Sequence, residues 1–232
     1  MGGLFVNHLS YADDMVLLAP SVGALQHLLN TCYAYSVDHD ILYNTKKSVC
    51  MLFKPTWLSG NVVYPSVFLN DRSLEFVDKY NYLGHNLCTD LSDDIDVGEK
   101  LRKLYTVGNV LIRKFKFCYD NVKCELFRVY CSTIYCSALW CKFKKASIKK
   151  VKVCHNSILR RLLGIPLPYS ASDMFVQHRI RNLDAILRND IFSLRNRLFN
   201  SQNRLILAIT SWSRYGQNPL HNHWTGSLHV NI

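Results

Sequence analysis

Asp13 and Asp14 stand side by side in the segment Leu9-Ser10-Tyr11-Ala12-Asp13-Asp14-Met15-Val16-Leu17-Leu18-Ala19, a polar pair bracketed by two short apolar runs. Carboxylates held at a rigid bend could bind divalent cations for phosphoryl transfer, where magnesium needs hard oxygen ligands. Adjacent residues of a strand point to opposite faces, so Asp13 is the stronger metal candidate and Asp14 the weaker. The plainer reading is a turn, because aspartate is itself a turn former. A second candidate group is cationic. Lys142, Lys144, Lys145, Lys149, Lys150 and Lys152 crowd into eleven residues, followed by Arg160 and Arg161 and interleaved with Phe143 and Ile148. Such a run is either a solvated helix face or a contact for phosphates, which Lys and Arg neutralise with release of counterions.

The elements that must position these groups follow from the pattern. The apolar runs around residues 10–14 predict a tight β-hairpin with the carboxylates at its tip. Pro20-Ser21 stops the second strand, with Ser21 as N-cap. Leu25, Leu28, Leu29 and Cys32 then recur at helical spacing to about Val37. Ile41–Tyr43 and Val49–Phe53 predict strands around an Asn44–Lys47 turn, and residues 55–66 a surface excursion. Val67–Leu69 and Leu74–Val77 predict a second hairpin around Asn70-Asp71. Lys79–Leu87 predicts a further short strand containing Tyr82-Leu83-Gly84. From Ser92-Asp93-Asp94 onward the texture is helical, over about 101–115, 121–141, 145–163 and 173–199, with a loose tail from Ser211. The fold class is therefore α+β, a partial antiparallel sheet followed by an all-helical basic region.

Charge divides the chain in the same place. Residues 1–100 carry 6 basic and 12 acidic side chains, whereas residues 101–232 carry 22 basic and only 5 acidic ones, within an overall charge of +11. A polyanion is the natural partner of the second half. A 49% hydrophobic and 19% charged composition excludes wholesale disorder. The charge-free stretch between Arg128 and Lys142 is too short to span a bilayer, and no secretory signal opens the chain. The expectation is an intracellular protein, nuclear or cytoplasmic, without a membrane partner. Nine cysteines without CxxC pairs read as reduced, packed thiols rather than a disulfide framework or a zinc site. Cys118, Cys124, Cys131, Cys136 and Cys141 are expected on helix. His221 and His223 resemble a metal pair only by their types.

The ordered company of the Asp-Asp hairpin resembles the reverse transcriptase of non-LTR (LINE-type) retrotransposons. Residues 9–19 look like that family's third palm motif. Asn44, Lys47 and Ser48 ahead of Met51 and Phe53 resemble the fourth, and Tyr82-Leu83-Gly84 the fifth, the grip on the primer. The likeness covers about residues 4–90, and the basic helices to about Pro166 are similar to the family's thumb. It implies a partial palm over 1–90, a thumb-like region over 91–166 and a helical extension over 167–232. It implies RNA-directed DNA polymerase chemistry, a two-metal attack of a primer 3′-hydroxyl on a deoxynucleotide, with an RNA template and a DNA primer as partners. Asp13 and Asp14 would then bind Mg²⁺, Tyr11 would contact the primer terminus, and Lys47 would lie near the nucleotide phosphates. Tyr82, Leu83 and Gly84 would touch the primer strand, and the six lysines the duplex backbone. Taken from the residues alone, Lys47 is equally an exposed turn lysine beside Lys46, and Tyr82 and Leu83 are strand packing. In the family a further carboxylate, the nucleotide-selecting segment and the fingers all precede the Tyr11 motif, and only ten residues do so here. The expectation is an incomplete metal site, a hairpin with an open apolar edge, and no activity from this segment alone.

Overall fold

Tyr11 and Asp14 face each other as the last pair of an antiparallel ribbon formed by β1 (His8–Tyr11) and β2 (Asp14–Leu17). The computed structural model describes residues 6–54, 65–212 and 214–229. Within them the chain is mixed α and β, with eight short strands and eight α-helices. It divides into two compact units, Met1–Tyr80 and Asn81–Ile232.

In the first unit, Ala12-Asp13 closes the ribbon as a two-residue connection with Ala12 at φ 52°. The ladder runs on through Leu18 N–H, which donates to the Asn7 carbonyl at 2.7 Å. Ser21 caps α1 (Val22–Asp38) as expected, its Oγ accepting from the Ala24 amide. Leu29 is the buried side chain of this helix's apolar stripe and joins Cys50, Val67, Leu69 and Leu74 in a small core. Gln26 fastens the helix to β4 (Phe68–Leu69) by mimicking a strand. Its amide donates to the Phe68 carbonyl at 2.9 Å and accepts from the Phe68 amide at 2.8 Å. β4 pairs antiparallel with β5 (Arg72–Ser73) around Asn70 and Asp71, both at positive φ, which is the geometry of a type I′ turn.

Three expectations for this unit are corrected. Ile41–Tyr43 is not a strand. Asp40 turns left-handed at φ 53° and the Ile41 amide returns to the Ser36 carbonyl, so the segment serves to end α1. Val49–Phe53 shortens to β3 (Val49–Cys50), which pairs parallel, not antiparallel, with β6 (Glu75–Phe76). The strands form separate two-stranded pieces in place of one continuous antiparallel sheet. Most of the 55–66 excursion lies outside the described residues.

The unit boundary falls inside β7 (Lys79–Tyr82), which forms a hairpin with β8 (His85–Cys88). The expected single strand is thus two strands, because Leu83 at φ 48° and Gly84 at φ 79° make another tight turn. Then come α2 (Asp94–Lys114), α3 (Asp120–Cys131), a 3₁₀ turn at Ser137–Leu139, α4 (Lys145–Leu163), α5 (Ala171–Gln177), α6 (Leu183–Phe199), α7 (Arg204–Thr210) and α8 (Pro219–His229). The expected 121–141 helix stops at Cys131, and Cys136 takes a left-handed conformation at φ 64°; of the five cysteines expected on helix, only Cys124 and Cys131 are there. The 173–199 helix is likewise broken. Arg179 turns at φ 51° and Asn182 caps α6, while the Arg128 guanidinium donates to the carbonyls of His178 and Arg179. The tail is not loose over its described part, since Trp224 of α8 is buried and donates to the Ala138 carbonyl at 2.7 Å.

The core of this unit is made by α2, α3 and α4, with Leu104, Leu111, Phe127, Cys131, Ile158 and Leu159 at its centre. Burial pushes the Cys131 thiol up to about 12 and that of Cys154 up to about 11, so both are inert apolar packing. His155, wholly buried against Phe127 and Phe175, is pushed down to about 4 by the same desolvation and is a neutral core ring. Gly108 sets the approach of α2 to α4: a Cβ there would fall onto Ile158, within 2.5 Å of its Cγ1. Alanine normally stabilises a helix interior relative to glycine by about 1 kcal/mol. Here Gly108→Ala is expected to destabilise by about 1–3 kcal/mol through overpacking against a stiff β-branched neighbour. Adding Ile158→Ala should recover part of that loss in a urea-melt double-mutant cycle; simple additivity would show that the two helices do not meet there.

Candidate nucleic-acid interface

Asp13 occupies the two-residue turn and Asp14 opens β2, and both are exposed, as is Tyr11 across the ribbon. The β1–β2 ribbon pairs with no further strand among the described residues, and Leu9, Met15 and Leu18 on it are exposed. A magnesium pair demands several hard oxygen donors around a shared cavity. Among the described residues no group of three or more His, Cys, Asp or Glu side chains gathers in that way. Two neighbouring carboxylates at an exposed tip do not by themselves fit a two-metal centre.

Lys47 is exposed in a turn organised by Asn44. The Asn44 carbonyl accepts from the amides of Lys47 and Ser48, its Oδ1 accepts from Lys47 N–H at 3.2 Å, and Ser48 Oγ donates to the same carbonyl. The Asn44, Lys47, Ser48 spacing therefore has a local structural cause, and it leaves the Lys47 ammonium in solvent. Gly84 belongs to the second unit and has its own cause too. Its carbonyl accepts from Lys100 Nζ at 2.6 Å, and a Cβ would come 3.1 Å from the ring of Tyr135. The close backbone approach that glycine permits is made here to the chain's own side chains. Tyr82 is half-buried in β7 and Leu83 is exposed at the turn.

The lysine cluster is brought together by the acidic start of α2. Asp93 stands at the N-cap position of α2, but its side chain caps no helix amide; its Oδ2 accepts from the amides of Cys141 and Lys142, each at 2.8 Å. Asp94 Oδ1 accepts from the Lys144 amide at 3.0 Å and from Ser147 Oγ at 2.6 Å, contacts that hold its carboxyl below the usual range. These bonds pin the segment that leads into α4. Lys142 Nζ donates to the Asp90 carbonyl, and Lys152 is ion-paired with Asp184. Lys144, Lys145, Lys149 and Lys150 are exposed, the last three on the solvent side of the first turns of α4. Opposite them, Val151, Cys154 and Ile158 are buried, while Phe143 and Ile148 are half-buried against the same core. Arg160 is engaged locally, donating to the carbonyls of Pro166, Leu167 and Tyr169. His221 and His223 lie on α8, where His223 makes an edge contact with Phe143.

Asp96 is the residue that sequence reasoning missed. It is wholly buried, accepting from Trp140 Nε1 at 2.8 Å and from the backbone and side-chain N–H of Asn86 at 3.1 Å. His85 Nδ1 lies 3.2 Å away and Lys100 Nζ 3.6 Å away. Burial opposes the charge, but the surrounding donors outweigh it and hold the carboxyl well below the usual range. The available signal was an i, i+4 Asp96–Lys100 pair on the inner side of α2. Its partners Asn86 and Trp140 come from distant positions.

No helix among the described residues is long and apolar enough to cross a membrane. Comparison with family models, with curated proteins and with solved structures finds no match for this chain.

Proposed function

We propose that this chain is a palm-and-thumb portion of an RNA-directed DNA polymerase of the non-LTR retrotransposon kind. The observation that carries the reading is the two-residue hairpin tip with Asp13 in the turn and Asp14 opposite Tyr11, running directly into a Ser21-capped helix. In this reading Asp13 and Asp14 supply two carboxylates of a magnesium centre, and at least one further carboxylate comes from another polymerase segment. Magnesium, once held, would supply charge neutralisation at the nucleotide phosphates. Tyr11 lies at the primer terminus, Lys47 near the deoxynucleotide phosphates, and Tyr82-Leu83-Gly84 along the primer. Lys144, Lys145, Lys149 and Lys150 lie against the phosphates of the RNA–DNA duplex, with Lys142 and Lys152 at the margins. Backbone contacts of this kind are blind to sequence, as a polymerase requires.

A second reading, a non-catalytic nucleic-acid-binding module, is favoured by the separate core of the second unit. One set of fusion proteins separates them. The 232-residue polypeptide is expected to extend no primer by itself. Joined to a fingers-and-palm segment from a related polymerase, it should synthesise DNA on an RNA template, and Asp13→Ala or Asp14→Ala should abolish that synthesis. Duplex binding should survive both aspartate changes but weaken about 10- to 100-fold in Lys149→Glu/Lys150→Glu, with a shallower salt dependence. Duplex binding without any restored synthesis selects the binding module. Loss of neither function on changing the lysines would remove the nucleic-acid reading of α4.

A further inference from the structure

The turn between α2 and α3 carries two strongly exposed aromatic rings. Phe117 is 94% exposed, the highest of the large apolar side chains among the described residues, and Tyr119 is 85% exposed. The local cause is plain. Phe115 ends α2, its amide bonded to the Leu111 carbonyl, and its ring packs on the core. The Cys118 amide then closes a turn onto the Phe115 carbonyl at 3.2 Å, which turns residue 117 off the helix's buried stripe. Tyr119 is extended at φ −64° and ψ 152° ahead of α3 and is likewise free of the core. Arg113, Lys114 and Lys116 lie within a few residues of the two rings in the chain, all exposed, and Lys116 Nζ stands 5.5 Å from the centre of the Phe117 ring. The nearest carboxylate in sequence, Asp120, is occupied by Lys123 at 3.2 Å.

We propose that Arg113, Lys114, Lys116, Phe117 and Tyr119 form a binding site for single-stranded nucleic acid, the rings stacking on unpaired bases and the cations meeting the phosphates between them. Every base has a π-face, so such a platform accepts strands of any sequence, and the cations supply charge complementarity. A paired duplex offers no free base faces, which distinguishes this site from the phosphate-binding lysines of α4. An anionic membrane surface is the competing partner for basic and aromatic groups. Interfacial binding, however, relies on a broad apolar helix face, whereas here two rings project from a turn beside Asp120 and Asn121. The proposal rests on the reading of the chain as a nucleic-acid-binding protein, but concerns different residues and a different strand state.

The test uses the full 232-residue chain with a fluorescent oligothymidylate 20-mer, a blunt duplex of equal length, and phosphatidylcholine–phosphatidylserine vesicles. Phe117→Ala/Tyr119→Ala should weaken single-strand binding about tenfold or more and leave duplex binding within about twofold, with the salt dependence unchanged. Phe117→Trp should retain binding, and its indole emission should quench as the single strand is added. Because both side chains are exposed, the variants should keep the wild-type circular dichroism spectrum. Equal weakening on both nucleic acids, no weakening on the single strand, or no single-strand binding at all would overturn the proposal. So would vesicle binding that is lost in the double variant while single-strand binding stays intact. Failure of the α4 lysine variants with success here would sink only the duplex interface.

Discussion

Asp96→Ala is expected to lower the stability of the helical unit by about 3–5 kcal/mol, a large share of the whole for a domain of ordinary stability. The carboxylate answers donors from three separate segments: Asn86 in β8, Lys100 one turn along α2, and Trp140 beyond the 3₁₀ turn. Removing it leaves the Asn86 backbone N–H and the Trp140 indole N–H without this acceptor and takes from Lys100 its neighbouring charge. Asp96→Asn should cost less, because one amide oxygen remains, yet more than a surface change, because the new NH₂ faces other donors. Urea unfolding followed by tryptophan fluorescence reads both. The pH dependence has a definite sign. The folded carboxyl titrates below its ordinary value of 3.8, so its contribution is fully present above that value and is lost as the pH falls further. Wild-type stability should therefore fall more steeply in acid than that of Asp96→Ala. A loss under about 1 kcal/mol, or parallel acid profiles, would show that Asp96 does not tie β8 to α2 and Trp140.

Trp224→Ala should release α8 from the second unit at a cost of about 3–5 kcal/mol. The indole fills a pocket made with Ala138 and Ile191, flanked by Leu194, Leu198 and Leu220, and satisfies the Ala138 carbonyl. Trp224→Phe keeps most of the apolar volume and leaves that buried carbonyl unpaired, for a smaller loss of about 1–3 kcal/mol. Hydrogen exchange and limited proteolysis should show early opening of residues 219–229 in the alanine variant, with the α2–α4 core still protected. Equal protection of α8 in wild type and variant would mean that the helix is not held by this contact.

These two sites, one missed and one read as loose tail, lie where local sequence carries least information. Ser21 as a cap, the Asn70-Asp71 turn, the Asp13 tip and the left-handed Gly164 after α4 each depend on residues within a few positions. Their chemistry is legible in the letters. So is the amphipathic stripe of α4, and with it the solvent side of Lys145, Lys149 and Lys150. The α+β class followed from the same local periodicities.

The parallel pairing of Val49 with Glu75, the fit of Gly108 against Ile158, and the burial of Trp224 under Ala138 join residues 26 to 86 positions apart. Nothing near Asp96 in the chain distinguishes it from Asp93 and Asp94 beside it. Only packing removes it from water and surrounds it with donors. Local sequence determined the Ser21 cap, the Asp13 and Asn70-Asp71 turns and the alternation of the α4 face, because those choices are decided by steric and hydrogen-bonding preferences within one turn. Tertiary structure alone decided which polar groups are buried and which rings are left bare, because desolvation depends on every segment that arrives to cover a group, and on every one that does not.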